Sequence, residues 1–410
     1  MFGDGFVERI IFHIDANNAF LSWTACDMLE NGCDIDIRNI ASAIAGDKAQ
    51  RSGIILAKSE LAKKCGVKTA ETIGDAKRKC KNIQFFKPDY KVYKKYSDNM
   101  YKILSEYSDK IERYSIDECF LDYTYMQKLY GNPLDTAKLI QNRIYNELGF
   151  TVNIGIGNNR LLAKMASELE KPNKINTIYS NEIKEKMWNL PVNELFMVGR
   201  HSVGKLHSLG IYKIGELATF DKQILINTFK KFGIQMWEYA NGIDDTEING
   251  EEREYKGIGN SITTVTDIDN KDIAHKNILS LCEYVCRRLR KEGMYTQCIS
   301  VSIKTNNFET ISHQRKLSIP TDITKEIYII AVELFNEIWK GQKLRSFGVR
   351  LDKLTKKENE QINLFSNMQE NEKRKKMDKV LDNTRSKFGN NIIKRASLLE
   401  TDITKLIGKE

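Results

Sequence analysis

The chain has 410 residues and eight cysteines, at positions 26, 33, 65, 80, 119, 282, 286 and 298, and no two of them form a C-x-x-C pair. Cys282 and Cys286 lie four apart on an expected helix but lack a matching set of His or Cys partners. That argues against a zinc site or a disulfide framework and for reduced thiols, as in a cytoplasmic protein. A signal peptide and any apolar run of eighteen residues are also missing, which predicts a soluble, cytoplasmic chain with no membrane partner. Charge is not balanced: 64 Lys and Arg stand against 55 Asp and Glu, a net +9 with a pI near 8.9. Such a surplus favours a polyanionic partner. The length suggests about two to four domains, and with 41% hydrophobic residues each can bury a core.

Against this background, acids stand where a core strand should not carry them. Ile10-Ile11-Phe12-His13-Ile14-Asp15 is an apolar run that stops at a carboxylate, and Tyr114-Ser115-Ile116-Asp117-Glu118-Cys119-Phe120-Leu121-Asp122 follows about a hundred residues later. Both read as buried strands. Burying an unpaired carboxylate costs several kcal/mol unless a cation or donor compensates. Asp15, Asp117 and Glu118 on neighbouring strand ends would supply hard oxygen ligands for Mg²⁺, which typically takes one or two carboxylates plus substrate phosphates. That points to two-metal phosphoryl transfer. The plainer alternative makes Asp15 an N-cap and Glu118 a surface strand residue; capping accounts for one carboxylate and not for three.

The pairing of Asp15-Ala16-Asn17-Asn18-Ala19-Phe20 with Tyr114-Ser115-Ile116-Asp117-Glu118 resembles the bacterial Y-family (DinB/UmuC-like) translesion DNA polymerases. The likeness runs from about residue 8 into the C-terminal tail. It implies an α/β multidomain fold shaped as a right hand: palm over 1–23 and 81–170, small fingers over 24–80, and a helical thumb over 171–241. An acidic linker over 242–257, a little finger over 258–353 and a charged tail over 354–410 complete it. Local patterns fit. Helices are expected near 17–30, 134–148 and 369–388, with a strand over 151–157. Residues 24–80 read as a largely helical insertion, and 258–352 read strand, helix, strand, strand, helix, strand, the order of a ferredoxin-like plait. Ile299-Ser300-Val301-Ser302-Ile303-Lys304 alternates as a strand with one buried face does.

The resemblance also implies roles. Asp15, Asp117 and Glu118, with the backbone carbonyl of Ala16, would hold two Mg²⁺ ions, for which Mn²⁺ can substitute. Phe20, one turn into the helix after Asp15, would be the steric gate against a ribose 2′-hydroxyl. Ile54 would roof the nascent base pair. Lys164, in Leu161-Leu162-Ala163-Lys164-Met165-Ala166-Ser167, would contact the incoming triphosphate, a role suited to a compact ammonium. Lys63 would reach the same phosphates. The family carries a tyrosine three residues before that base, where this chain has Glu60, so Ser59 or the backbone is expected to substitute.

Val198-Gly199-Arg200-His201-Ser202-Val203-Gly204-Lys205 resembles a helix-hairpin-helix, whose amides at a helix N-terminus bind a DNA phosphate. Met197 replaces its usual first glycine. In the plait, Arg287, Arg288, Arg290, Lys291, Lys304, Arg315 and Lys316 form a basic surplus suited to following a DNA backbone. Gln361-Ile362-Asn363-Leu364-Phe365 has the form of a bacterial sliding-clamp peptide. The implied protein is a monomeric, error-prone DNA polymerase of the SOS response to DNA damage. It would take dNTP and primer-template DNA and be recruited by the clamp. A non-catalytic adaptor of the same family would have lost a metal carboxylate, and a nucleotidyl cyclase would leave the hairpin, plait and clamp peptide without a role.

Overall fold

The computed structural model describes residues 8–46, 53–250, 255–356, 368–390 and 392–398. The chain divides into two compact units, Met1–Ala45 with Ile54–Glu252 and Gly46–Gly53 with Arg253–Glu410.

The first unit begins with β1 (Ile11–Ala16), α1 (Ala19–Glu30), β2 (Ser42–Ala45), β3 (Ile55–Lys58), α2 (Glu60–Lys64), α3 (Ile73–Lys79), β4 (Gln84–Phe86) and α4 (Tyr90–Ser105). It continues with β5 (Ile111–Arg113), β6 (Glu118–Asp122), α5 (Gln127–Tyr130), α6 (Pro133–Leu148), β7 (Val152–Gly157), α7 (Arg160–Leu169) and β8 (Ile175–Ile178). Five strands form one sheet in the order β5-β6-β1-β7-β8, antiparallel except for the β7-β8 pair. β1 is the middle strand, so its side chains alternate between two covered faces. Phe12, Ile14 and Ala16 enter the larger core with α1, α4 and α6, while Ile11 joins Phe120 and Ala163 on the other face. Local chemistry sets the helix ends. Asn132 accepts a hydrogen bond from the Leu134 amide (2.8 Å) at the start of α6, Pro133 fills its first turn, and Gly149 closes it at φ 77°.

Two glycines of β7 decide where α7 sits. A side chain on Gly155 would overlap the backbone of Ala163 and Ser167, and one on Gly157 would lie 2.6 Å from the Ala163 amide. With no side chain there, the helix rests directly on the strand. Its far side joins Val192, Leu195, Leu206 and Ile211 in the core of a helical region. That region comprises α8 (Ile183–Lys186), α9 (Arg200–Ser208), α10 (Ile214–Thr219), α11 (Lys222–Phe229) and α12 (Lys231–Ala240).

The structure departs from the expected segmentation in four places. The insertion after β1 is not largely helical: β2, β3 and β4 form a three-stranded sheet in the order β3-β2-β4, covered by α2 and α3. Its short apolar runs pair with one another, and β4 lies beyond the expected boundary at residue 80, while α1 runs through the one at residue 23. β8, expected within the thumb, is the edge strand of the five-stranded sheet because it pairs with β7. Tyr114, Ser115, Ile116 and Asp117 form a turn between β5 and β6 and not part of a buried strand.

The second unit runs β9 (Gly257–Ile268), α13 (Lys271–Lys291), β10 (Met294–Thr305), β11 (Thr310–Thr321), α14 (Thr324–Ile338), β12 (Leu344–Lys356). The sheet order is β11-β10-β12-β9, antiparallel throughout, so the last strand inserts between the first and second. Ile299, Val301 and Ile303 pack beneath α13 and α14; Ser300, Ser302 and Lys304 point to the open face. The fourth difference lies in the tail, where α15 (Met368–Phe388) docks on α13. Arg385 donates to Glu283 at 3.0 Å, and Arg290 pairs with Asp378 (3.3 Å) and Asp382 (2.6 Å). The clamp-like peptide, residues 361–365, lies outside the described residues. Among the described residues no helix is long and apolar enough to cross a membrane.

Candidate active site

β1 and β6 are in register with Asp15 directly opposite Glu118. Cβ atoms of such antiparallel partners lie about 4.5–5.5 Å apart, so the pairing alone forces two carboxylates together. α7, held close by the glycines of β7, brings a third. Ligand oxygens of Asp15, Glu118 and Glu168 all lie within 4.8 Å of one another.

Two lysines compensate this charge. Lys164 pairs with Glu118 and lies 3.4 Å from Glu168; Lys171 lies 2.5 Å from Asp15 and 2.9 Å from Glu168. Burial raises the Asp15 carboxyl to about 6 despite the opposing pull of Lys171. Burial works against both ammonium groups too, yet Glu118 and Asp15 keep Lys164 and Lys171 above the ordinary lysine range. Burial would raise Glu168, and Lys171 holds it low. Three crowded hard-oxygen donors with raised proton affinity at Asp15 fit a divalent cation.

His13, two residues before Asp15, is fully buried on the same face. Its Nδ1 shares a 2.8 Å hydrogen bond with the Ser167 hydroxyl, and its Nε2 lies 3.9 Å from Glu118 with no hydrogen-bond partner. Burial, aided by Lys164, drives its pKa well down, so the ring is neutral. Arg160, at the start of α7, makes a bidentate pair with Glu112 of β5 (2.9 and 3.0 Å), with its guanidinium 4.5 Å from the Phe120 ring centre. Asn153 of β7, opposite Asp15, donates to the carbonyls of Ser167 (3.0 Å) and Glu170 (2.6 Å). These contacts fasten both ends of α7 to the sheet that carries Asp15 and Glu118.

Asp117 is placed differently from the other expected ligands. Its carbonyl accepts from the Ala16 amide at 3.0 Å, which seats the turn against the end of β1, but its carboxylate accepts from Ser115 at 2.5 Å and is not one of the three that cluster. Glu168 and Lys171 were missed in the sequence. For Glu168 the signal was there, since residues 164 and 168 are spaced i, i+4 on one face of α7, whereas Lys171 lies beyond the end of that helix.

Phe20 stacks on Tyr93 (4.5 Å between ring centres, 14° between planes) and meets Tyr90 edge-on at 6.1 Å, half-buried at the first turn of α1. Ile54 is exposed, forming a bridge with Thr72. Lys63 is exposed and 3.3 Å from Glu60, which answers where that acid points: to its own helix neighbour. Ser59 is a correction. It is buried, and its hydroxyl accepts from the amides of Ala62 (3.2 Å) and Ser42 (3.1 Å), so its oxygen is committed to capping α2.

In the hairpin, Met197 has φ 71°, the left-handed conformation a glycine would serve, so the backbone turn is kept without it. Gly199 caps α9, and Gly199, Gly204 and Lys205 are exposed. The plait cations do not form one surface. Lys304 and Lys316 lie on the open sheet face, whereas Arg287, Arg288, Arg290 and Lys291 belong to α13. Arg315 sits opposite Ile299 on the helix side and bridges Glu333 (2.5 Å) and Glu337 (2.6 Å), which removes it from the expected DNA-following set.

Residues 14–168 match the impB/mucB/samB family, and residues 255–364 match that family's C-terminal domain. The chain is 47% identical over 397 residues to DNA polymerase IV of Clostridium acetobutylicum, spanning 97% of this chain and 100% of that one. It is 36% identical over 403 residues to DNA polymerase IV 2 of Bacillus subtilis, spanning 96% and 95%. Among solved structures, a Y-family DNA polymerase chimera superposes with a TM-score of 0.73 at 21% identity, covering 85% of this chain and 99% of the chimera.

Proposed function

We propose, since this chain belongs to the impB/mucB/samB family and is a DNA-directed DNA polymerase of the Y-family, that it carries out error-prone translesion synthesis by two-metal nucleotidyl transfer. The observation that carries this reading is the meeting of Asp15 and Glu118 on facing strands with Glu168, all neutralised by lysine. Asp15, Asp117 and Glu118, with the Ala16 carbonyl, would hold two Mg²⁺ ions, or Mn²⁺ in their place. Ions held there would lower the pKa of the primer 3′-hydroxyl and would neutralise charge on the α-phosphate and departing pyrophosphate. Lys164 and Lys171, released from the carboxylates they now cover, turn to the triphosphate, where Lys63 joins them from α2. A phosphorus–oxygen bond forms to the primer 3′-oxygen as the bond to pyrophosphate breaks.

The other assignments follow the family's hand. Phe20, its ring fixed by Tyr93, excludes a ribose 2′-hydroxyl, and Ile54 covers the nascent base pair. Amides at Gly199 and Gly204 with Lys205 take a DNA phosphate, and Lys304 on the open sheet face tracks the backbone, with Arg287 and Arg288 as further DNA contacts. Gln361, Leu364 and Phe365 dock a monomer on the sliding clamp, with Leu and Phe filling its apolar pocket.

The test is Asp117→Asn combined with Glu118→Gln. Nucleotide incorporation is expected to fall to background while primer-template binding stays near wild type, because the DNA grip lies on other elements. Extension retained in the double variant overturns the assignment.

A further inference from the structure

The four cations of α13 do not face the open side of the sheet. They border a groove of about 660 Å³ between α13 and α15. We propose that this groove binds a single DNA strand through its phosphates, as a site separate from the open sheet face; the inference rests on the polymerase reading. Arg287, Arg288 and Lys291 line one wall, and Lys375, Lys376 and Lys379 the other. The lining holds seven cations against three aspartates, two of which, Asp378 and Asp382, pair with Arg290. Several also touch neutral groups. Arg288 lies 5.8 Å from the Tyr284 ring centre, Lys375 lies 5.6 Å from that of Tyr295, and Arg287 donates to Ser386 at 3.3 Å and to Asn390. The exposed Lys376–Glu372 pair, at 3.9 Å, adds little restraint. Positive charge gathered in a concave groove concentrates its field on an anion.

Shape selects the occupant. Lys375 and Lys379, like Arg287 and Lys291, are one helical turn apart, about 6 Å along each wall, so charge recurs along the groove on both sides. A backbone of successive phosphates matches that repeat, and Tyr284 offers a half-buried ring beside it. The volume is that of a small-ligand cleft, roughly 300–1,000 Å³, which admits a few nucleotides of one strand and excludes a duplex. An unpaired template strand is the single strand that a template-directed polymerase always meets.

The experiment uses the full chain and a labelled oligothymidylate, with affinity followed by anisotropy across a salt series. Lys375→Glu with Lys379→Glu is expected to weaken binding at least tenfold at low salt. Replacing both lysines by Gln is expected to give a smaller loss and reduce the salt slope by about 0.7 per phosphate contact removed. Primer extension on a template with a minimal overhang should equal wild type in both variants. Failure of the wild type itself to extend would refute the polymerase reading and not this groove. Unchanged oligothymidylate affinity and salt slope in both variants would overturn the proposal, as would an equal loss on blunt duplex.

Discussion

The two larger sheets of this molecule handle charge in opposite ways. At the five-stranded sheet, buried Asp15 of the central strand meets Glu168 of α7 and half-buried Glu118 of β6, and each of these carboxylates has a lysine within reach. On the four-stranded sheet the open face carries small polar side chains with Lys304, Lys316 and Arg350, while Arg287, Arg288, Arg290 and Lys291 belong to the helical layer. Burial strengthens each interaction in the first case and makes position decisive. Exposure weakens each in the second, so the effect comes from number and distribution. Single substitutions should therefore be severe at the first sheet and graded at the second.

The largest expected effect is at Asp15. Its carboxyl is raised by burial from 3.8 to about 6, so the folded chain holds that proton more tightly than the unfolded one. The resulting instability is absent below about pH 4, grows between pH 4 and 6, and is complete above. Asp15→Asn should abolish incorporation and yet gain up to about 3 kcal/mol of stability at pH 7, since Lys171 keeps Glu168 as a partner at 2.9 Å. The gain should vanish near pH 4. Denaturant unfolding at both pH values measures it, and an equal effect at the two would break the link to burial.

Gly155→Ala tests the seat of α7. Overlap with the backbone of Ala163 and Ser167 should cost about 3 kcal/mol, at the upper end for overpacking, and should lower activity by displacing Lys164 and Glu168. Full activity with a normal melting temperature would show that α7 tolerates a wider gap.

A smaller effect separates the two sides of the plait. Lys304→Ala should reduce the salt slope of duplex binding by about 1, whereas Arg315→Ala, removing a cation already bridged to Glu333 and Glu337, should leave it unchanged. Equal losses would mean that the helix side touches duplex as well. The smallest effect is at Ser59. Ser59→Ala should lower stability by about 1 kcal/mol through loss of the α2 cap and leave KM for dNTP unaltered. A raised KM would return Ser59 to the triphosphate.

Much was legible before any coordinates. The apolar run ending at Asp15 and Glu118 of the later acidic segment pointed to two of the three clustered carboxylates, and 3.6-residue and 2-residue periodicities located α6, β7, the plait elements and α15, because burial of one face writes itself into local sequence. Even Met197 flagged an unusual hairpin turn. What stayed hidden depends on neighbours distant in the chain. Sequence could name Asp15 and Glu118 but not their register, and it passed over Glu168 and Lys171 because acids and lysines usually face solvent. The order β11-β10-β12-β9 and the docking of α15 sent the plait cations to separate faces, a partition no spacing along α13 or β11 reveals. The amino-acid sequence determined which chemistry is available and where each local element forms. Only the tertiary structure decided which groups meet, because charge compensation, cap commitment and strand order are pairings across space, and a linear pattern records one partner of each.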